Sequence, residues 1–379
     1  MTSCVPTFLF FGCALLYWAY KVFRGPTYKP GSVAKKSVDD PSTFDDCSLY
    51  SKTTDAGNKW VMPGQINIFY FEPSIEKKGI TPTIAVHGGP GIAPQQSWKL
   101  FSGNNNAFLP NFFLYHARGC GYSTRPFHQW PTPGKMWPGI QTLEQTLGIG
   151  QQVADIERIR RRLAVVSGQD IATFQINLIG HSFGGFISTL YATEFPQHVR
   201  SVVLLEPAGV MKLPNPQSDL FAMVRNGLEG NPHHLDEFDD WFREYMDFST
   251  LPQQTETTLA RRQFEFAQHY DRAAPKTDNE SLPPTPMGMI GGMAAYATFA
   301  SMGMEHDYTT ACHDRLKDST FPVTIVHGSK DMAPEDVSRS YCQLFPTTNV
   351  TYKIIEGANH FLFDHPDIVP IVQEALTMK

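Results

Sequence analysis

The chain has 379 residues, of which 41% are hydrophobic and 18% charged, so it can bury a large core and is not a disordered protein. Its formal net charge of -6 at pH 7 offers no basic surface for nucleic acid, and we exclude that class of partner. The six cysteines include no close pair and no CxxC, which indicates neither a zinc site nor a small disulfide framework.

The N-terminal segment, residues 1–24, is nearly all apolar from Val5 to Tyr20, and its first charge is Lys21. Such a segment indicates a membrane anchor or a signal peptide, and the lack of a basic residue before it favours an uncleaved single-pass anchor. The basic residues that follow it favour a cytosolic location for the rest of the chain. Two glycosylation sequons, at Asn279 and Asn349, favour the secretory pathway or secretion instead.

Residues 25–58 mix Pro, Gly, Ser, Lys and Asp without apolar periodicity, which predicts a linker. Regular structure is expected from Lys59, with strand-like alternation over residues 60–71. The next predicted strand, residues 81–86, runs into the glycine cluster HGGPG at residues 87–91. Because open α/β sheets bind ligands at the carboxyl ends of their strands, the backbone N–H groups of this cluster are candidate ligand donors.

The stretch GHSFG, residues 180–184, lies between a predicted strand and a predicted helix. GxSxG in a strand, turn and helix is typical of a nucleophile elbow, in which glycines permit a tight turn and leave the serine hydroxyl exposed. A free serine hydroxyl is a weak nucleophile, so Ser182 would need a histidine base, an acid and oxyanion donors. The alternative is that Ser182 only caps a helix.

A third motif, RGCGYS at residues 118–123, follows a short predicted strand. Together with HGGPG and the GHSFG turn, it resembles the proline iminopeptidase (prolyl aminopeptidase) family of α/β-hydrolases. The chain departs from that family at His116-Ala117, where Asp-Gln is usual, and at His181 and Phe183, where the elbow usually reads GGSWG. The resemblance implies a mostly parallel central sheet flanked by helices, with an inserted helical cap. The implied core covers residues 59–209 and 310–379, and the implied cap covers residues 210–309.

A long helix is predicted over residues 143–166, just before the elbow strand. We expect its charged residues to lie on a solvent-exposed face: Asp155, Glu157, Arg158, Arg160 and Arg161.

Two features of the predicted cap bear on substrate binding. The resemblance implies that cap glutamates hold the free amino terminus of a peptide, and the alternative is a solvated helix face. The second feature, the uncharged methionine-rich stretch 287–304, predicts a buried helix or, alternatively, flexible methionines lining an acyl pocket. The candidate cap acids are Glu229, Asp236, Glu237, Asp239, Asp240, Glu244, Glu256 and Glu265.

The acid and the base of the predicted site follow two later strands. Asp331 comes after the strand over residues 321–327, and His360 comes after the strand over residues 349–355. The chain order Ser182, Asp331, His360, each after its own strand, is the order that the α/β-hydrolase fold requires. Other polar residues near these positions are interpreted as structural: Asp336, His181, His327 and His365.

The sequence therefore predicts a serine hydrolase that works through an acyl-enzyme. Ser182 attacks an acyl carbon, His360 takes its proton, and Asp331 orients the imidazole. The backbone N–H groups of Phe183 and Gly89 are the predicted oxyanion donors. No metal or organic cofactor is predicted.

Three functions are compatible with these residues. The resemblance implies an aminopeptidase that releases N-terminal residues, proline above all, from short peptides. The alternative is a membrane-associated esterase, lipase or amidase acting on apolar acyl substrates, and the third is a non-catalytic receptor with the same fold. The predicted partners are a small peptide or acyl substrate and, through the N-terminal segment, a membrane; the oligomeric state is left open.

Overall fold

An eight-stranded sheet organises the protein. The computed structural model describes residues 26–39, 47–50, 66–71, 79–94, 111–275, 286–303, 305–362 and 365–377. The strands are β1 (Cys47–Tyr50), β2 (Ile66–Phe71), β3 (Thr83–Val86), β4 (Phe112–Tyr115), β5 (Ile176–His181), β6 (Val199–Leu205), β7 (Lys212–Leu213), β8 (His306–Asp307), β9 (Val323–Gly328) and β10 (Val350–Ile355). The sheet order is β1-β2-β4-β3-β5-β6-β9-β10, and β7 pairs with β8 outside it.

All neighbouring strands of the large sheet are parallel except β2 and β4, which are antiparallel. The carboxyl ends of β3, β5, β6, β9 and β10 therefore lie at one edge, where the predicted site residues follow them. The helices are α1 (Ser32–Asp39), α2 (Met136–Leu147), α3 (Ile149–Val166), α4 (Phe183–Glu194), α5 (Leu220–Leu228), α6 (Pro232–Tyr245), α7 (Glu256–Ala273), α8 (Gly292–Met302), α9 (Thr309–Leu316), α10 (Glu335–Ser340) and α11 (Ile368–Thr377).

The central strands are buried on both faces because helices cover both sides of the sheet. Leu178 of β5 packs on one face with residues of α3, α4 and α9, whereas its neighbour Ile179 packs on the other face with residues of α11. Successive side chains of a strand point to opposite faces, so a strand buried on both faces is a continuous apolar run. This burial explains why these strands were recognisable in the sequence.

The helices α5 to α8 lie between β6 and β9 in the chain and share a second hydrophobic cluster, to which Trp130 and α2 also contribute. We call these four helices the cap. Met293 packs in this cluster and Met302 packs in the main core, with 2% and 1% of their surfaces exposed. These two methionines favour the buried-helix interpretation for residues 292–302, whereas Met287, which precedes the helix, is 43% exposed.

Four of the five charged residues of α3 that were predicted to lie on a solvent-exposed face are buried, so the prediction was wrong for those four. Asp155 and Glu157 are 0% and 1% exposed. The Arg118 guanidinium, from the RGCGYS motif, donates to Asp155 through Nε at 2.7 Å, and Arg160 Nε donates to Glu157 at 2.8 Å. Ion pairs with full hydrogen bonding let these charges leave water. Arg158 and Arg160 are buried with them, whereas the Arg161 side chain is 29% exposed.

The structure also corrects the predicted linker over residues 25–58, within its described parts. Tyr28 and Val33 are buried in the main core. The Tyr28 hydroxyl and the Gly31 N–H each donate to the Glu194 carboxylate at 2.8 Å. Residues 47–50 form the edge strand β1 beside β2. No local apolar pattern marks this segment, because hydrogen bonds to Glu194, a residue far along the chain, help to hold it in place.

The predicted anchor, residues 1–24, lies outside the described residues. Within the part of the chain that the structure describes, no helix is long and apolar enough to cross a membrane.

Candidate active site

Ser182 stands at the sharp turn between β5 and α4. Its backbone has φ 52 and ψ -122. This conformation is strained for any residue that carries a side chain. The Ser182 N–H donates to Leu205 O at 2.9 Å, and its carbonyl accepts from Ala208 N at 3.0 Å. A Cβ on Gly184 would collide with the Val86 carbonyl, so α4 approaches the sheet this closely only with glycine there. The turn therefore has the geometry of a nucleophile elbow.

Asp331 and His360 are brought together from the loops after β9 and β10. The His360 Nδ1 atom lies 2.8 Å from Asp331 Oδ2, and their side chains are 16% and 1% exposed. Burial alone would raise the pKa of Asp331, but the attraction and hydrogen bond of His360 outweigh it and hold that pKa below its usual range. An ionised carboxylate accepts the Nδ1 proton, which leaves the Nε2 lone pair of a neutral imidazole available as a base.

His181 connects the elbow to the His360 loop. Its Nε2 donates to the His360 carbonyl at 2.8 Å, and the two imidazole rings have centroids 4.9 Å apart. The residue before Ser182 thus fixes the backbone of the candidate base. Among the described residues, however, no hydrogen bond joins the Ser182 hydroxyl to the His360 ring. Contacts of this kind commonly tighten only when substrate binds.

The HGGPG loop lies directly beside Ser182. A Cβ on Gly88 would lie 3.0 Å from Ser182 Cβ, and Gly89 has φ 127, which favours glycine. His87 Nε2 accepts from Ala117 N at 2.9 Å, so its proton is on Nδ1, which donates to Gly88 O at 2.8 Å. His87 therefore holds this loop and the RGCGYS loop together. The Gly89 and Phe183 N–H groups stay predicted oxyanion donors.

The cap packs on both motif loops and on His360. The Gly291 N–H donates to Gly91 O at 2.7 Å, and a Cβ on Gly291 would collide with the Gly119 carbonyl. From α7, the Tyr270 ring approaches His360 with centroids 5.7 Å apart. Access to Ser182 is therefore shaped by α7 and by the segment before α8.

The candidate cap acids do not converge on this site. Glu256, at the start of α7, is buried, and its two carboxylate oxygens accept from Gly292 N at 2.9 Å and Met293 N at 2.8 Å. Burial raises the pKa of Glu256 to about 7. Among the described cap residues it is the one buried carboxylate, and it is bound to the first turn of α8. The other candidates are exposed or half-buried, and several pair with arginines: Arg225 with Asp239, Arg272 with Glu237, Arg243 with Asp240 and Arg261 with Glu265.

The buried histidines around the elbow predict a loss of stability in mild acid. Burial lowers the pKa of His87 to about 4 and that of His181 to about 3, below the ordinary value of 6.5. Between pH 6.5 and about 4 the unfolded chain binds protons at these histidines that the folded chain does not, so their contribution to stability is full above pH 6.5 and falls below it. Glu256, with its raised pKa, contributes in the opposite direction over this range, so the effect of the histidines is measured as the difference between variants in urea unfolding at pH 7.5 and pH 4.5. His181→Gln should reduce this pH dependence, and the exposed control His233→Gln should not; equal pH dependence in both variants would contradict the prediction.

Residues 82–366 match the model of a family described as "alpha/beta hydrolase fold". The chain belongs to the α/β-hydrolase family. Both the predicted fold class and the predicted hydrolase activity of this α/β-hydrolase are thereby confirmed.

The sequences of two curated relatives align with most of this α/β-hydrolase. The proline iminopeptidase of Lactobacillus delbrueckii subsp. bulgaricus is 24% identical over 291 residues, covering 74% of this chain and 84% of that protein. The (lyso)-N-acylphosphatidylethanolamine lipase of Mus musculus is 23% identical over 341 residues, covering 83% of this chain and 84% of that protein. The predicted resemblance to proline iminopeptidases is confirmed at this low identity.

Solved structures agree on the fold of this α/β-hydrolase. VinJ superposes with a TM-score of 0.57 at 17% identity, covering 83% of this chain and 96% of that one. The proline iminopeptidase of Mycobacterium smegmatis has a TM-score of 0.50 at 16% identity, covering 82% of this chain and 93% of that one. At such identities the likeness shows the fold alone.

Two residues with contacts at the site were not identified from the sequence. His181 was interpreted as structural, although it bonds the His360 loop. Glu206 is not among the predicted site residues, but one of its carboxylate oxygens lies within 4.8 Å of one of Asp331. The signal was present in principle: Glu206 follows a buried strand at the same sheet edge, as Asp331 does.

Proposed function

We propose that this α/β-hydrolase cleaves its substrate through an acyl-enzyme on Ser182. His360 removes the serine proton as the general base and later protonates the leaving group, and Asp331 holds the imidazole in the reactive tautomer. The Gly89 and Phe183 N–H groups stabilise the oxyanion. The observation that carries the proposal is the 2.8 Å bond between His360 Nδ1 and Asp331 Oδ2 at the sheet edge that also bears the strained Ser182 turn.

We further propose an apolar acyl ester or amide as the substrate. A peptide amino terminus is a cation and needs a carboxylate partner once it leaves water. In the described cap, the buried carboxylate of Glu256 is already bound to α8, and the other candidate acids are exposed or half-buried. Next to His360 lie the rings of Tyr270 and Phe361, which suit an uncharged group. The similarity to a lipase over 341 residues supports the same choice.

The second candidate is an aminopeptidase that releases N-terminal proline or a similar residue. It is favoured by the HGGPG loop, which packs beside Ser182, by the RGCGYS loop, which His87 holds to it through Ala117, and by the proline iminopeptidase relatives.

Hydrolysis of two substrate series distinguishes these candidates. The protein should begin before Tyr28, because Tyr28 and β1 belong to the folded body. For an acyl substrate we expect kcat/KM of p-nitrophenyl esters to rise about fourfold per added CH₂ from acetate to hexanoate, since each buried CH₂ contributes about 0.8 kcal/mol. An aminopeptidase would instead cleave proline p-nitroanilide and lose that activity when the proline nitrogen is acetylated. Ser182→Ala controls both series.

A further inference from the structure

A second carboxyl group lies beside the candidate catalytic acid. Glu206 directly follows β6, and because β6 and β9 are parallel neighbours, it stands next to the loop that carries Asp331. Glu206 is 2% exposed, and its backbone has φ 46. One carboxylate oxygen each of Glu206 and Asp331 and one ring nitrogen of His327 all lie within 4.8 Å of one another. A strained, fully buried acid at this place calls for a physical explanation.

Both oxygens of Glu206 are engaged by other groups. The Gly328 N–H donates to Oε1, and the His327 ring lies with Nδ1 2.8 Å from Oε2. Burial lowers the pKa of His327, so this ring is neutral near pH 7 and cannot balance a negative charge on Glu206. The Ser338 hydroxyl lies 3.5 Å from Oε2. Farther out, the hydroxyl groups of Tyr270 from α7 and Tyr352 from β10 interact with Glu206 electrostatically, and Glu335 and Arg339 of α10 act on His327 in the same way.

The Glu206 and Asp331 carboxyls lie side by side, with one oxygen of each within 4.8 Å of the other. Two buried carboxylates this close do not both ionise, and a proton held between them would form a hydrogen bond. Asp331 faces the His360 ring, which favours its charged form. Burial, and then the charge on Asp331, raise the pKa of Glu206 well above its usual range. The proton therefore belongs to Glu206.

We propose that Glu206 is a positioning residue: in its protonated form it donates a hydrogen bond to Asp331 and keeps that carboxylate charged and turned toward His360. Glu206 does not touch substrate and keeps its proton throughout the reaction. This inference rests on the proposed function, since it assumes that Asp331 orients His360. It assigns the second acid at this sheet edge to the same hydrogen-bonded chain, which runs from Glu206 through Asp331 to His360.

Three substitutions at Glu206 test the inference in the full chain. A hydrogen bond to a charged group contributes about 1.5–3 kcal/mol, so Glu206→Met should lower kcat about 10- to 100-fold and change KM less than about twofold. Glu206→Gln should recover most of that loss, because its amide N–H can donate to Asp331 as the protonated acid does. Glu206→Asp keeps an ionisable acid but is one CH₂ too short, so it should be slower than Glu206→Gln. The half-buried surface acid Glu335 provides the control, and Glu335→Gln should stay within about twofold of the parent.

All rates are normalised to active sites counted with a fluorophosphonate probe, which separates a slower site from a smaller folded fraction. If Glu206→Gln is as slow as Glu206→Met, or slower than Glu206→Asp, then Glu206 acts as an ion and the inference is overturned. It is equally overturned if neither Met nor Gln lowers kcat. If Glu206→Met does not fold, the order of Gln and Asp decides. Failure of the proposed function would appear differently, as a parent protein that the probe does not label at Ser182.

Discussion

Ser182→Ala is expected to lower kcat about 10⁵- to 10⁶-fold, the cost of losing a nucleophile when the rest of a triad remains. The alanine retains the turn but has no oxygen to attack an acyl carbon, so no acyl-enzyme can form. The measurement is steady-state hydrolysis of the best p-nitrophenyl ester, together with labelling by a fluorophosphonate probe, which the variant should lack.

Ser188→Ala is the matched control for this substitution. Ser188 lies in the same helix, α4, and is fully buried with its hydroxyl against Gly180, so its removal perturbs the surroundings of the elbow without removing the nucleophile. It should keep both probe labelling and hydrolysis. If Ser182→Ala retained more than a tenth of the parent kcat, Ser182 would not be the nucleophile.

Asp331→Asn is expected to lower kcat about 10⁴-fold while leaving the fold intact. An asparagine amide can donate to His360 Nδ1, which stabilises the tautomer whose Nε2 carries a proton and cannot act as a base. It also removes the charge that stabilises the imidazolium in the transition state. The measurement is kcat per probe-titrated site, with thermal unfolding recorded for the same samples.

Asp336→Asn is the control, because Asp336 is an exposed acid of the first turn of α10, only five positions further on. It should change kcat less than about twofold and stability by at most about 1 kcal/mol. A loss below tenfold in Asp331→Asn would transfer the orienting role to another acid, and Glu206 would be the first to test.

The parts of the site that could be predicted from sequence are those with a local pattern. The strands β5, β6 and β9 are mostly apolar because nearly all of their residues are buried, and each ends in a polar or glycine-rich turn. Parallel strands bring their carboxyl ends to one edge, so Ser182, Asp331 and His360 could be placed near each other without coordinates. The family resemblance then supplied the cap and the order of the elements.

Residues whose role depends on a distant partner could not be predicted in this way. Asp155 and Glu157 are charged residues of the kind expected on a solvated helix face. They are buried because Arg118 approaches Asp155 and because other elements of the fold pack over α3. Residues 25–39 have the composition of a linker. Their place in the fold depends on hydrogen bonds that Tyr28 and Gly31 donate to the distant Glu194 carboxylate.

The sequence by itself determined the elbow and the candidate Ser182, Asp331 and His360 from apolar periodicity and turn residues within short windows, and it determined the fold class through the family resemblance. Only the tertiary structure decided that Glu206 lies beside Asp331, that His181 bonds the His360 loop, and that Glu256 is bound to α8. The physical reason is that hydrogen bonds and charge pairs depend on distance in space, and burial makes them strong between residues that no local pattern connects.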